Sequence, residues 1–514
     1  MSAARPVEGG APHVGAITVS IMLPTIMQAL DTTIANVALP HMQGGLSATQ
    51  DQTAWVLTSY IVAAAIMTPP TGFLAARFGR KRLFLTAVAG FTAASMLCGL
   101  AGSLGQMVVF RVLQGLFGAS LVPLSQAVLF DTYPRERHAS AMALWGIGVM
   151  VGPILGPVLG GYLTEYYSWR WIFYINLPFG ILAFLGILAF VPETPPDAER
   201  PFDLFGFLVL SAAIGAFQLM LDRGEQVDWF QSAEIVTYAA LSALGLYLFV
   251  VQMATAPRPF LEPAVFRDRN FLTGLLFIFL VGVILLATLA LLPPFLQNLM
   301  GYPVILAGIV LAPRGLGTMA AMTVVGRLVG RVDTRLVMLA GLLLTALSLW
   351  QMTGFTTDVG RGVIVWTGLV QGLGLGFIFV PLSTLTFATL PPRLRTEAAG
   401  VYSLVRNIGS SVGISIVVSL LARNTQINHA ALAERITPFN PLLREPSLPA
   451  AWSLDAPAGV AALNAEITRQ AQTIAYLDDF RLMLVVTLLV MPLLALLRAP
   501  RGGPAQAPAA AMAE

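Results

Sequence analysis

The sequence predicts an all-α polytopic membrane protein in which two six-helix bundles flank two inserted helices. Three observations carry that reading. Of 514 residues, 56% are hydrophobic and only 11% are charged, too few charges for the surface of a soluble protein of this size. The apolar residues fall in blocks of spanning length separated by short charged segments. That is a helical pattern rather than a β-barrel one, because a hydrocarbon core about 30 Å thick takes about 20 helical residues to cross. Finally, landmarks of the first part of the chain recur in order in the last part.

Counting the apolar blocks gives about fourteen spans. The first six cores lie at 15–39, 53–75, 83–103, 107–129, 139–162 and 170–191, and define a unit over 1–200. Cores at 204–222 and 231–252 form an insertion over 201–256. The last six, at 271–293, 303–325, 336–354, 363–385, 399–421 and 479–498, define a unit over 257–514. That unit contains one long external connection, 422–478. Its first part is broken by Pro438, Pro441, Pro446 and Pro449, whereas 460–477 lacks proline and reads as a helix running into the last span, an ordered external element rather than a loose linker.

The repeat rests on three matched pairs. Gly72-Phe-Leu-Ala-Ala-Arg77 matches Gly326-Arg-Leu-Val-Gly-Arg331. Gln114-Gly115-Leu116 leading to Pro123-Leu124-Ser125 matches Gln371-Gly372-Leu373 leading to Pro381-Leu382-Ser383. Pro134-Arg135-Glu-Arg137 matches Pro392-Arg393-Leu-Arg395. The pairs keep their order at nearly constant separation, as expected of a duplicated six-span unit that rocks about a midplane cavity.

Arginine bias sets the orientation. Alternate connections carry Arg77, Arg80, Lys81 and Arg82; Arg135 and Arg137; Arg258, Arg267 and Arg269; Arg327, Arg331 and Arg335; and Arg393 and Arg395. Both termini are therefore expected in the cytoplasm of an inner-membrane protein, with Arg498 and Arg501 after the last span. The first apolar run is too long for a signal-peptide core and reads as a retained span.

Several function classes drop out. Cys98 is the single cysteine, so no internal disulfide is possible, and His13, His41, His138 and His429 are too scattered for a metal site. Lys81 is the only lysine and no G-x-x-x-x-G-K-[ST] loop occurs, which argues against an ATP-driven pump. The glycines at 372, 374 and 376 do not follow a soluble strand, so a dinucleotide site is not credible. The spans lack a nucleophile with a base nearby, so no enzyme is expected, and no soluble output domain accompanies them. No cofactor and no nucleic-acid partner are expected; the lipid bilayer is the surrounding medium.

Asp31 is the residue that demands explanation. It lies in the apolar run 14–40 with no basic neighbour in sequence, and a carboxylate at that depth is costly unless it faces a cavity and works, for example by carrying a proton. The plainer alternative is that it caps a helix break beside Thr32 and Thr33. Arg111, just inside the fourth span, either snorkels to the surface or pairs with a buried acceptor. Asp31 and Arg111 are the proton-coupling candidates. Candidates to line a substrate cavity are Gln28, Asn36, Gln114, Gln126, Arg314, Gln371, Arg406 and Asn407. Asp31 alone favours cationic cargo, whereas Arg314 and Arg406 suit acidic or neutral amphiphiles. In the fifth span Gly148, Gly152, Gly156 and Gly160 share one helix face, with Pro153 and Pro157 one residue on, either as plain close packing or as a conformational device. Gly72, Arg77, Gly79 and Arg80 form a tight basic turn that anchors a cytoplasmic loop or contacts the partner bundle. Asp222, Arg223, Glu225 and Asp228 beside Trp229 and Phe230 read as a solvated external turn with an aromatic interface anchor.

These residues resemble the major facilitator superfamily, specifically its fourteen-span drug:proton antiporters of the EmrB/QacA type, over nearly the whole chain. LDTTIANVALP over 30–40 resembles the first-span signature, where the acid is a proton-coupling residue. GFLAARFGRKR over 72–82 resembles the loop between the second and third spans, 111–118 the fourth-span motif with its functional arginine, and 148–161 the antiporter motif of the fifth span. WRWIFYINLP over 169–178 is also similar to this branch. One departure stands out: the loop motif commonly carries an aspartate where this chain has Ala76, so the charge relay there is expected to be weaker or rerouted. The resemblance implies proton-driven export of lipophilic small molecules and, in bacteria of Gram-negative type, a periplasmic adaptor and an outer-membrane channel as partners. Proton-coupled uptake and a non-transporting membrane sensor are the alternatives.

Overall fold

A computed structural model describes residues 13–195, 202–257, 259–437, 439–440, 452 and 456–497. Its helices follow in order: α1 Val14–Leu46, α2 Gln50–Met67, α3 Thr71–Phe78, α4 Arg80–Leu100, α5 Leu104–Gly118, α6 Leu121–Thr132, α7 His138–Tyr166, α8 Trp171–Tyr174, α9 Asn176–Phe190, α10 Leu204–Arg223, α11 Ala233–Thr255, α12 Pro263–Arg267, α13 Arg269–Pro294, α14 Val304–Leu328, α15 Thr334–Met352, α16 Arg361–Ala388, α17 Arg395–Ala433 and α18 Pro457–Val490. Among the described residues thirteen helices are long and apolar enough to cross a membrane, and the bent pair α2–α3 brings the number to fourteen. The expected polytopic helical protein is therefore the observed one. Helices suit the hydrocarbon layer because each pairs its backbone polar groups within its own span.

Two spans depart from the sequence reading. The second, read as one run over 53–75, breaks after Met67 and bends by 58° into α3. Pro69 and Pro70 supply no N–H and crowd the turn before them, so the helix cannot continue through. The thirteenth, read as ending at 421, continues as α17 to Ala433. Its polar last turns keep helix-forming residues after the apolar stretch has ended. On the other side of the connection α18 starts at Pro457 and runs into the last span, so the long connection is flanked by helix on both sides. The prolines at 438, 441, 446 and 449, like Arg258, Arg498 and Arg501, lie outside the described residues.

Helix α7 sits at the centre, against α1 on one side and α14 on the other. Its glycine ridge faces α1. A Cβ at Gly152 would stand 2.5 Å from the Ala29 carbonyl carbon, Gly148 lies on Met22, Gly156 on Thr33 and Gly160 on Ile34. Thr33 Oγ1 donates to the Gly152 carbonyl at 3.1 Å across the same seam. The ridge is thus a backbone-to-backbone seam holding the helix that carries Asp31, and α7 stays helical through Pro153 and Pro157.

At the end bearing the arginine-rich loops, the spans before the insertion are locked to those after it. Arg395 at the start of α17 donates to the Phe130 carbonyl and to Asp131 Oδ1, both at 3.3 Å. Ser140 Oγ donates to the Gly326 carbonyl at 2.9 Å. Phe130 packs on Phe387, Trp145 stacks on Phe379, and Gly72 lies directly on the Glu397 backbone.

Candidate functional site

The site is built around Asp31, half-way along α1. Its side chain is 1% exposed and points into the first helical bundle rather than to lipid or to open water. Arg111 of α5 is fully buried, and its Nη1 donates to Asp31 Oδ2 at 2.7 Å. Gln114, one turn on, donates Nε2 to Asp31 Oδ1 at 2.9 Å, and Asn176 of α9 donates Nδ2 to the same oxygen at 3.0 Å. With three N–H donors aimed at it, Asp31 only accepts, which is the bonding pattern of a carboxylate.

A second ring of contacts fixes these donors. Arg111 Nε donates to the Val56 carbonyl at 2.9 Å, Nη1 also donates to Gln114 Oε1 at 2.7 Å, and the guanidinium lies 4.4 Å from the Tyr60 ring centroid. Asn176 also donates to Ser95 Oγ at 2.9 Å, and Ser95 donates to the Phe173 carbonyl at 2.9 Å. Five elements, α1, α2, α4, α5 and the α8–α9 segment, thus contribute to one dry polar cluster. In so low a dielectric the pair is worth having only intact: leaving either charge alone costs about 3–5 kcal/mol. Protonating Asp31 places a donor among donors and removes the counter-charge of Arg111, so the cluster has two chemically distinct states.

The two proton-coupling candidates therefore lie together. Gln114, a cavity candidate by sequence, is instead a direct partner of Asp31. Asn176, Ser95 and Tyr60 belong to the cluster and were not singled out. Asn176 falls inside the quoted 169–178 run, but an uncharged polar residue in an apolar helix carries no further signal.

The remaining candidates do not all meet in one cavity, but Arg314 and Gln371 both reach α13. Gln28 is half-buried on α1, and Asn36 is exposed and donates to its own Thr32 carbonyl at 3.1 Å. Gln126 of α6 is fully buried with neither amide atom hydrogen-bonded. Arg314 of α14 donates Nη2 to the Leu285 carbonyl at 3.2 Å, and Gln371 of α16 lies beside Thr288 of α13. Arg406 and Asn407 are half-buried on α17. In the basic turn Gly79 adopts φ 87°, a conformation that favours glycine, and Arg77 closes α3. Arg80 pairs with Asp131. With Ala76 in the loop, Asp131 is the acid that meets both Arg80 of the loop and Arg395 across the seam.

Membrane-crossing helices that bury a fully paired acid among them have the build of a multi-pass membrane transporter. The family profile "Major Facilitator Superfamily" matches residues 21–414. The chain is 37% identical over 430 residues to the fatty acid resistance protein FarB of Neisseria gonorrhoeae, covering 84% of this chain and 85% of that one. It is 35% identical over 443 residues to the multidrug export protein EmrB of Escherichia coli (strain K12), covering 86% of each. Among solved structures it is similar to the proton:xylose symporter XylE bound to 6-bromo-6-deoxy-D-glucose, with TM-score 0.60 and 14% identity over 95% of this chain and all of that one, a likeness of fold alone. The chain belongs to the major facilitator superfamily and, with it, to the membrane transporters.

Proposed function

We propose that this protein is a proton-coupled antiporter of the inner membrane that exports amphipathic small molecules by alternating access. The observation that carries the proposal is the Asp31–Arg111 pair, a titratable acid sealed 2.7 Å from its counter-charge in a dry helical cluster. Relatives that align over most of the chain are a multidrug export protein and a fatty acid resistance protein, which supports lipophilic cargo. With the basic loops and both termini on the cytoplasmic side, the Arg395–Asp131 contacts seal the cytoplasmic end, and the conformation described above corresponds to a state closed to the cytoplasm.

In this reading cargo enters from the cytoplasm with Asp31 deprotonated, and a proton arriving from outside displaces Arg111 from Asp31 and favours release. A proton moving down the membrane potential supplies about 2.3 kcal/mol per 100 mV, while a tenfold cargo gradient takes about 1.4 kcal/mol, so one proton per cycle suffices. The end of α17 and the start of α18, on the external side in this reading, are the surface on which a periplasmic adaptor, leading to an outer-membrane channel, would dock. The experiment is proton flux in sealed vesicles: adding cargo to the cytoplasmic side of energised vesicles should drive protons inward in antiport, and a flux of the opposite sign identifies uptake instead.

A further inference from the structure

The internal repeat, read onto the side chains, exposes an asymmetry of charge. The sequence separation that relates Gln114 to Gln371 also relates Asp31 to Thr288, Arg111 to Gly368 and Gly115 to Gly372; the one that relates Gly72 to Gly326 carries Tyr60 onto Arg314. The packing obeys the same mapping. Gly115 lies on the Tyr60 carbonyl, and Gly372 lies on the Arg314 carbonyl. Gln114 donates to Asp31 at 2.9 Å, and Gln371 Nε2 reaches Thr288 Oγ1 at 3.5 Å.

The second bundle thus repeats the polar cluster of the first with two changes. The arginine has moved one helix over, from the place of Gly368 to the place of Tyr60, where its Cβ lies 3.7 Å from the position a Cβ at Gly368 would take. The acid has become Thr288. No Asp or Glu occurs in α13, α14 or α16, and among the described residues no carboxylate lies within ion-pair distance of Arg314. Arg314 is 6% exposed, its Nη2 rests on a backbone carbonyl, and its Nη1 has no hydrogen-bond partner; Gln371 is 1% exposed, and its Oε1 has none either. An uncompensated buried guanidinium is held at a cost that an anion would relieve. Gly308 and Gly315, on either side of Arg314 in α14, lie against Pro157 and Ile154 of α7, so the helix that carries Arg314 borders the seam that alternating access would open.

We propose that Arg314, Gln371 and Thr288 form a headgroup subsite that selects anionic amphiphiles, a carboxylate or phenolate seated on Arg314 with its tail along the seam. This rests on the transport reading above and names the charge class of its cargo. Arg111 and Arg314 each leave one guanidinium nitrogen without a hydrogen-bond partner, but Asp31 supplies the counter-charge of Arg111 from within, whereas the cargo itself supplies the missing anion to Arg314.

The test compares decanoate, 1-decanol and decyltrimethylammonium binding to the full-length protein in phosphatidylcholine nanodiscs, by calorimetry corrected for empty discs. Decanoate should bind about tenfold tighter than the alcohol or more, the scale of a hydrogen-bonded charge pair, and the cation weakest. Arg314→Gln should erase that preference. Thr288→Asp should erase it too while building an ion pair that supports folding, so loss of preference there does not stem from misfolding. Equal binding of decanoate and decanol to the wild type, or a preference that survives both substitutions, overturns the subsite; displacement of decanoate when phosphatidylglycerol replaces part of the lipid reassigns it to an anionic lipid and overturns it as a cargo site. Binding is read without a proton gradient, so the two proposals separate. Carboxylate preference without proton-driven export would sink the antiport reading alone, and proton-driven export without carboxylate preference would sink the subsite alone.

Discussion

Arg111 donates to Asp31 across 2.7 Å, in a place where neither side chain meets water. One comes from α5 and the other from α1, and the same guanidinium nitrogen also reaches Gln114 while Nε is tied to the Val56 carbonyl. The arginine is therefore held in place by Gln114 and the Val56 carbonyl as well as by Asp31.

Removing the arginine should be worse for stability than altering it. Arg111→Leu leaves a buried carboxylate facing only two amides, and unfolding in detergent should shift by about 3–5 kcal/mol. Arg111→Lys keeps a positive charge but cannot serve Asp31, Gln114 and the Val56 carbonyl together, so it should recover part of the stability and little of the transport. Thermal unfolding of the purified variants, set beside transport rates, checks both.

The α1–α7 seam should reject even a methyl group. Gly152→Ala brings a Cβ within 2.5 Å of the Ala29 backbone, and overpacking of this kind costs about 1–3 kcal/mol. Gly105→Ala, with nothing within 4 Å, is the matched control and should be neutral. Transport by cells carrying each variant at equal expression distinguishes a packing seam from a tolerant surface.

Asp131 should act as a latch between Arg80 and Arg395. Asp131→Asn and Arg395→Gln should each loosen the closed end, and the double variant should loosen it by less than the sum of the two singles, because both remove the Arg395–Asp131 contact. A cysteine introduced at Ala398, buried on the first turn of α17, in a Cys98→Ser background reports the opening as faster modification by a maleimide. Unchanged labelling in both singles would rule out the latch.

The spans were legible because hydropathy is read over whole helices, and Asp31, Arg111 and Arg314 were legible because a charge inside an apolar run has no ordinary reason to be there. The pairing of Asp31 with Arg111 was not, since the two belong to helices far apart in the chain and only packing brings them together. Asn176 and Ser95 were silent for a different reason: uncharged polar residues are common in membrane helices, and only the direction of the side chain separates a partner of Asp31 from a residue bonded to its own helix, as Asn36 is. The break at Pro69-Pro70 was visible in sequence but lay within an apolar stretch long enough to pass for one straight span. The far end of α17 was hidden because hydropathy stops at the membrane surface while helix propensity does not.

The decisive measurement is cargo transport by Asp31→Asn in vesicles, with and without an imposed proton gradient. The substitution keeps the size of the side chain and one acceptor oxygen while removing the titration. Because it leaves Arg111 without its counter-charge, the variant should lose about 3–5 kcal/mol of stability; compared at equal folded amount, it should still exchange cargo down its own gradient, while uphill transport driven by protons should vanish. Full proton-driven accumulation by this variant would contradict the assignment of Asp31 as the coupling residue.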